Sequence, residues 1–411
     1  MAAIGISEML CEVIRSESEY KQLYNTLYKF ISGGSRFSQG PSLITGLSDG
    51  ARNVLCASLA AESAFLTGED GKKTPLILVP DEKTAYSMRS KLSAFLENVY
   101  VFPARDFNFY NVGALSKEWE YERLKVLRAL VSGECDAVLA VPEAALALLP
   151  PEEYLRKGKA LKIGDTVPVA ALVKTLDEYG YVRVDTVEGA GQYSLRGDIL
   201  DIFVPDNDYP LRLEFFGDEI DAAGFFDTMT QRRTENVTEF AVTPVRETVI
   251  PPEKYTLIEE KIDALITSAL HKKNQTLAEK LSAERIAYKN ADFAAADKYL
   301  PYLYDDFTTL FDYARGLCVV CDYPRVKERL NAFLYQLHET LTDLASAGEM
   351  SLADGVWCKN YEDLKYLLTK RPSAVTDPFT GTPDFEISGL FEFSSRQTVS
   401  IESGIDILCD D

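Results

Sequence analysis

A chain of 411 residues with 43 Lys+Arg against 64 Asp+Glu has a formal net charge of −21, and 46% of its residues are hydrophobic. The length exceeds one ordinary core and predicts roughly two to four domains, while the composition is that of a folded chain and not a disordered one. The acid excess excludes gripping nucleic acid or an anionic membrane through the overall field, since either task needs clustered Lys and Arg.

The acidity is spread along the chain: net −3 over residues 1–150, −8 over 151–250 and −10 over 251–411. Seven cysteines are scattered from Cys11 to Cys409, an odd count that reads as reduced thiols and not as a disulfide framework. The N-terminal apolar stretch is short and soon interrupted by acids, and no run reaches the ~18 apolar residues of a membrane span. The expected location is cytoplasmic.

In chain order, the first segment alternates strands and helices. Pro41–Thr45 is a strand, Val54–Phe65 a helix, Thr74–Pro80 a buried strand and Glu82–Leu96 a helix; Val99–Phe102, the helix Glu118–Val131 and the strand Asp136–Val141 follow. Strands separated by helices predict a parallel sheet covered on both faces. After one helix, Val169–Tyr179, the pattern changes to short runs between turns: Tyr181–Val187, Gln192–Val204, Leu211–Phe216, Glu219–Phe226 and Glu239–Val245. These predict an antiparallel meander, a second domain inserted in the first. Helices then return at Glu253–Leu270 and Asn274–Tyr288. They lead to the buried strand Leu317–Asp322 and the long helix Val326–Leu344, where the first layer resumes. Past about residue 380 the chain is Ser/Thr/Gly-rich and acidic, with no evident closing element.

Three places bear chemical motifs. Gly46-Leu-Ser48-Asp-Gly50 matches the G-x-S-x-G nucleophile elbow. Yet both histidines, His271 and His338, fall in or beside helices, so the serine lacks a base, and a five-residue pattern alone is weak. The same strand–turn–helix aligns with the phosphate loop G-x-x-x-x-G-K-[ST]. Gly46 keeps the first glycine, but Ala51, Arg52 and Asn53 stand where glycine, lysine and the Mg²⁺-binding hydroxyl belong. The acid strand repeats this pattern, with Asp322 in place but Tyr323 where an activating Glu would follow. Cys318-x-x-Cys321 has zinc or redox spacing but lies in a buried-strand pattern with no second pair nearby, which favours two small core residues. In Leu211–Phe216, period-two alternation turns Leu211, Leu213 and Phe215 inward and puts Arg212, Glu214 and Phe216 on the other face. Arg196 precedes them on a strand able to pair with this one, with Gly197 as a possible bulge. Arg, Glu and an exposed aromatic have the composition of a protein-binding hot spot, but a salt-bridged outer face with one stray aromatic is the commoner case.

The run Gly191–Phe203, the run Tyr209–Asp221 and Phe226-Asp with Thr230-Gln-Arg232 resemble the UvrB-homology region of the bacterial transcription-repair coupling factor family (Mfd). Supporting matches are Phe102-Pro103, Glu122-Arg-Leu124, Val141–Ala145, Leu310–Tyr313 and Pro324–Arg329, in chain order over about residues 40–380. UvrB itself is similar here but carries a working phosphate loop and a long DNA-clamping hairpin. In this chain Pro103–Tyr110 runs almost directly into the Ser116–Val131 helix, leaving no room for that hairpin.

The resemblance implies an α/β fold: a degenerate RecA-like, P-loop NTPase-like parallel-sheet domain with an inserted α+β antiparallel-sheet domain. Residues 1–155 would be domain 1a, 156–248 the UvrA-binding domain 2, 249–380 domain 1b, and 381–411 the start of a following domain or a linker. It carries UvrA-contacting positions onto Arg196, Arg212, Glu214 and Phe216, and a further basic contact onto Arg183. Gly46, Gly50, Ala51, Arg52, Asn53 and Asp322 would be a degenerate nucleotide loop and acid. No catalytic residue, metal site or cofactor is expected in this chain; ATP and Mg²⁺ would serve the translocase motor of the full-length protein. RNA polymerase and double-stranded DNA would be bound by regions absent here. The implied role is recruitment of UvrA to lesions where polymerase has stalled. The alternatives are a UvrB-like ATP-dependent helicase subunit on damaged DNA and a hydrolase using Ser48.

Overall fold

The computed structural model describes residues 6–32, 40–67, 73–107, 109, 117–156, 158–248, 252–289, 296–351, 355–378 and 383–396. Part of the stretch bearing on the missing hairpin, residues 108 and 110–116, lies outside them.

Four strands precede the insert: β1 (Ser42–Thr45), β2 (Leu76–Leu78), β3 (Val99–Phe102) and β4 (Ala137–Ala140). Eight lie in the inserted region: β5 (Lys159–Lys162), β6 (Val182–Arg183), β7 (Gln192–Arg196), β8 (Ile199–Ile202), β9 (Leu211–Phe216), β10 (Glu219–Phe226), β11 (Arg233–Asn236) and β12 (Glu239–Val242). Three follow it: β13 (Cys318–Val320), β14 (Ser373–Thr376) and β15 (Gly389–Glu392).

The strands on either side of the insert form one parallel sheet, ordered β15-β1-β14-β13-β2-β4-β3. Its strands β13, β2 and β4 are wholly apolar and buried because both faces are covered there. In β4, Val138 and Ala140 join Leu124 and Leu127 of the Glu118–Ser132 helix in one layer. Ala137 and Leu139 turn to the other layer, with Leu55 and Leu59 of the Asp49–Ala61 helix. The fold is therefore α/β with a separate antiparallel sheet, as the alternation of elements implies.

Several elements differ from expectation. Helices Ile6–Ser16 and Ser18–Ser32 pack Ile14 and Leu23 into the second layer. The strands β5 and β14 are short runs that periodicity does not resolve. The run Tyr181–Val187 contributes only the two residues of β6. The segment 381–411, expected to begin a new domain or a linker, supplies β15, which pairs in parallel with β1 from Ser42↔Gly389 to Thr45↔Glu392. Its Phe391 and Phe393 are buried in the second layer, and that burial gives the short edge strand its place.

The inserted sheet runs β11-β10-β9-β8-β7-β6, antiparallel except for β6 with β7, and β12 pairs with β5 in a separate ribbon. Leu172 and Leu176 of the Val169–Glu178 helix cover its inner face, on Tyr193, Leu200, Leu211 and Leu213. A further core of helices Tyr255–His271, Gln275–Lys289 and the end of Tyr323–Ala347 surrounds Ile262, Leu281, Leu344 and Trp357.

Buried charges join these parts. Glu247, at the exit of the insert, is fully buried. It accepts from Arg123 Nε at 2.6 Å and Nη2 at 2.8 Å, and from Arg105 Nη1 at 3.3 Å. Arg105 also pairs with Asp297 of the helical part. Among the described residues no helix is long and apolar enough to cross a membrane, and no cluster of His, Cys, Asp and Glu is suited to a metal.

Candidate partner-binding face

The inserted sheet has one free face, and strand register decides what stands on it. Arg196 of β7 lies opposite Ile199 of β8, which lies opposite Glu214 of β9. One row over, Ser194, Asp201, Arg212 and Gly224 align across β7 to β10. Arg196 and Arg212 are thus not on neighbouring strands, because β8 runs between them. Gly197 is not a bulge: Gly197-Asp198 is the two-residue turn closing β7 to β8, and its φ of +62° is the positive angle such a turn demands. Gly217, at φ +64°, closes β9 to β10 in the same way. The register shifts lie in β10, between Ile220 and Ala222 against β9 and between Phe225 and Phe226 against β11.

Asp201 is the residue that sequence reasoning missed. Its carboxylate is buried, and it bridges the two arginines from the strand between them. Oδ2 accepts from Arg196 Nη2 at 2.8 Å and Arg212 Nη2 at 2.9 Å, and Oδ1 accepts from Arg212 Nε at 2.7 Å. The signal was legible: an acid between Leu200 and Ile202 in a short apolar strand is costly unless it is paired. Arg212 also donates to the Gln231 carbonyl and side chain, each at 3.2 Å, and lies 4.2 Å over the ring of buried Phe226. Its hydrogen bonds to Asp201 hold the guanidinium above its ordinary pKa although partial burial acts the other way.

Glu214 pairs with Arg233 of β11. Gly224 leaves room for that arginine, whose Cδ would stand 3.0 Å from any Cβ there. Phe216, 82% exposed, is the most exposed apolar side chain of β7 to β10, with Ile199 at 37%. Arg183 is not part of the constellation. It pairs with Tyr193, whose ring is buried on the opposite face, so register sends Arg183 away from the Arg196 row.

The strand–turn–helix at β1 has a different geometry. The helix begins at Asp49, so Gly50, Ala51, Arg52 and Asn53 already lie in its first turns. Ser48 is its cap, Oγ accepting from Ala51 N at 3.4 Å. Arg52 pairs with Asp49 at 2.9 Å and Asn53 is buried. The chain after β15 closes over the turn: Ser395 Oγ accepts from Ser48 N at 2.6 Å and donates to the Gly46 carbonyl at 3.0 Å. Gly46 has φ +75°, and a Cβ there would stand 1.9 Å from the Phe393 carbonyl oxygen. Asp322, one strand removed across β14, adopts left-handed φ 58°, ψ 62° and faces Arg325 at 3.5 Å. Cys318 and Cys321 are buried core thiols, with Cys321 4.0 Å from Cys56; burial pushes Cys318 up to about 12.

The chain thus combines a parallel α/β domain with an inserted antiparallel sheet that carries two arginines on one buried carboxylate. Residues 160–247 match the family model of the UvrB interaction domain. The chain as a whole is similar to transcription-repair-coupling factors. It is 26% identical over 348 residues to that of Bacillus subtilis (strain 168), covering 82% of this chain and 28% of the relative. To that of Staphylococcus aureus (strain MRSA252) it is 24% identical over 383 residues, covering 90% and 32%. The chain spans about a third of the length of the curated relatives it matches.

Proposed function

We propose that this chain is a non-catalytic recruitment module of transcription-coupled nucleotide excision repair, and that it binds UvrA through the outer face of the inserted sheet. The observation that carries the reading is an exposed Phe216 on β9 and, two strands away on the same face, a half-exposed Arg196 anchored by a buried carboxylate, within a match to the UvrB interaction domain. An aromatic and an arginine held in fixed positions are the residue types that dominate binding energy at interfaces. Titration of the 411-residue chain with UvrA is the test. Phe216→Ala and Arg196→Ala should each lose about 2 kcal/mol or more, roughly thirtyfold in Kd. Unchanged affinity in both variants would remove this face.

The non-catalytic reading is supported at the β1 turn. Ala51, Arg52 and Asn53 replace the phosphate-binding set, Arg52 is engaged by Asp49, and Ser395 takes a backbone N–H that a phosphate would need. ATP-driven translocation with Mg²⁺, displacement of stalled RNA polymerase and duplex DNA binding are assigned to the rest of a longer, cytoplasmic protein. Labelled ATP retained on a filter by this chain, or turned over with DNA present, would restore the helicase-subunit alternative.

A further inference from the structure

Sequence spacing singles out Cys318-x-x-Cys321 as a candidate pair, but the sheet separates the two thiols. Three residues along an extended chain is an odd step, which turns the side chains to opposite faces. Cys318 packs with Val320 in the first core layer, and Cys321 with Leu317 and Val319 in the second. On that second side Cys321 meets Cys56 of the Asp49–Ala61 helix, sulfur to sulfur at 4.0 Å, with both thiols buried. The two belong to segments 265 residues apart in the chain, so no local motif records the pair.

Cys56 lies one helical turn beyond Arg52, the residue that stands where a phosphate loop has lysine. Arg52 commits Nη2 to Asp49, but its Nε is buried and has no acceptor among the described residues. The hydrogen bond from Cys56 holds the Cys321 thiol below its ordinary pKa; the Arg52 charge adds to that effect, while burial and Asp322 act the other way. A thiol with a donor and a cation beside it is the kind that gives a nucleophilic thiolate.

We propose that Cys56 and Cys321 form a redox site, in which a hydroperoxide converts the thiol pair to a disulfide that fastens the Asp49–Ala61 helix to the segment just after β13. Arg52 is the positioning residue, whose charge favours the attacking thiolate. The Cys321 thiolate attacks the terminal peroxide oxygen and the O–O bond breaks. The departing oxygen takes up the proton that Cys321 released, leaving as an alcohol, or as water when the oxidant is hydrogen peroxide. Cys56 then attacks the sulfur of the Cys321 sulfenic acid; the S–S bond forms, and hydroxide departs with the Cys56 proton as water. The two thiols are oxidised together and one peroxide is reduced. The sulfurs close from 4.0 Å to about 2 Å, a movement shared between two side chains. Burial admits a small hydroperoxide through local opening and keeps out a protein disulfide.

The test treats the 411-residue chain with hydrogen peroxide, alkylates it with N-ethylmaleimide in denaturant and digests it without reductant. Mass spectrometry should find a linked Cys56–Cys321 peptide that dithiothreitol cleaves, with Cys135, Cys318 and Cys358 recovered as alkylated thiols. Cys56→Ser should stop at the sulfenic acid, trapped on Cys321 by dimedone after unfolding. Arg52→Gln should slow link formation at least about threefold at an unchanged melting temperature; an equal rate would remove the arginine from the site. In the oxidised chain, amide exchange should slow in the Asp49–Ala61 helix and at Cys321, while β8 and β9 exchange as before. A link with unchanged exchange in that helix would overturn the fastening. Met229, 90% exposed, shows that the oxidant has acted by becoming the sulfoxide. Cys56 and Cys321 both recovered as thiols at that point, or a Cys318–Cys321 link, would overturn the proposal. No UvrA is present, so the result is independent of the titration.

Discussion

Glu247 shows how much a single side chain does at the junction of the parts. Burial alone would raise its pKa, but the bonds and charges of Arg123 and Arg105 bring it below the ordinary carboxyl range. A depressed folded pKa gives stability that is present above the unfolded value, about 4.3 for Glu, and lost as pH falls through the folded one. Glu247→Gln should therefore lower stability at neutral pH, by about 3–5 kcal/mol if it behaves as a broken buried pair. The gap between variant and parent melting temperatures should shrink below about pH 4. A gap that stays constant from pH 7 to pH 3 would show that the charge of Glu247 is not what matters. Glu120, whose oxygen accepts the Glu247 N–H at 2.8 Å, is pushed the opposite way by burial. Its contribution is present at low pH and falls as pH rises through its raised pKa, so it opposes the Glu247 effect.

Among elements, β15 is held beside a turn whose backbone angle only glycine adopts readily. It extends the sheet beyond β1, and its following residues lie on the β1 turn because Gly46 turns with positive φ and has no Cβ. Gly46→Ala meets both a strained angle and the Phe393 carbonyl. It should cost about 2 kcal/mol or more, and the loss should be local. Amide exchange should accelerate in Gly389–Glu392 and at Ser48, while β8 and β9 keep their protection. Uniform acceleration across both sheets would argue that β15 is integral to the whole fold. The inserted sheet is the counterpart, since its two-residue turns at Gly197 and Gly217 fix the register and with it the membership of the outer face.

Across the whole molecule the inserted domain is docked and not merely tethered. Tyr121 donates to the Ala190 carbonyl at 3.0 Å, Tyr154 to that of Arg246 at 3.1 Å and Arg128 to that of Pro244 at 3.3 Å. Gly191 lies so close to Tyr121 that a Cβ would come 2.3 Å from its hydroxyl. In a Trp119→Phe, Cys409→Ser background, buried Trp357 reports on the helical part, and a dye on Met229→Cys, at a site 90% exposed, reports on the insert. Thermal unfolding followed by both probes should give one coincident transition, the mark of cooperative unfolding. Arg123→Met should separate the two, with the insert melting first. Separate transitions in the parent would show that these contacts do not couple the domains.

The chain by itself determined the main alternation of elements and the faces within them, though not the helices of residues 6–32 or the strands β5, β14 and β15. The apolar strands between helices called for a doubly covered parallel sheet, the turn-bounded runs for an antiparallel insert, and Leu211-Arg-Leu-Glu-Phe-Phe216 for one inward and one outward row, because periods of 2 and 3.6 are local properties. The residues of the run from Gly191 to Asp221 carried the family resemblance. What only the tertiary structure decided was pairing. Strand order placed β8 between the two arginines, made Asp201 their common partner and turned Arg183 to the far side of the sheet. It also brought β15 from the far end of the chain onto β1 and seated Ser395 on Ser48. Those outcomes depend on which distant segments bury each other's apolar surface, and no local period records that choice.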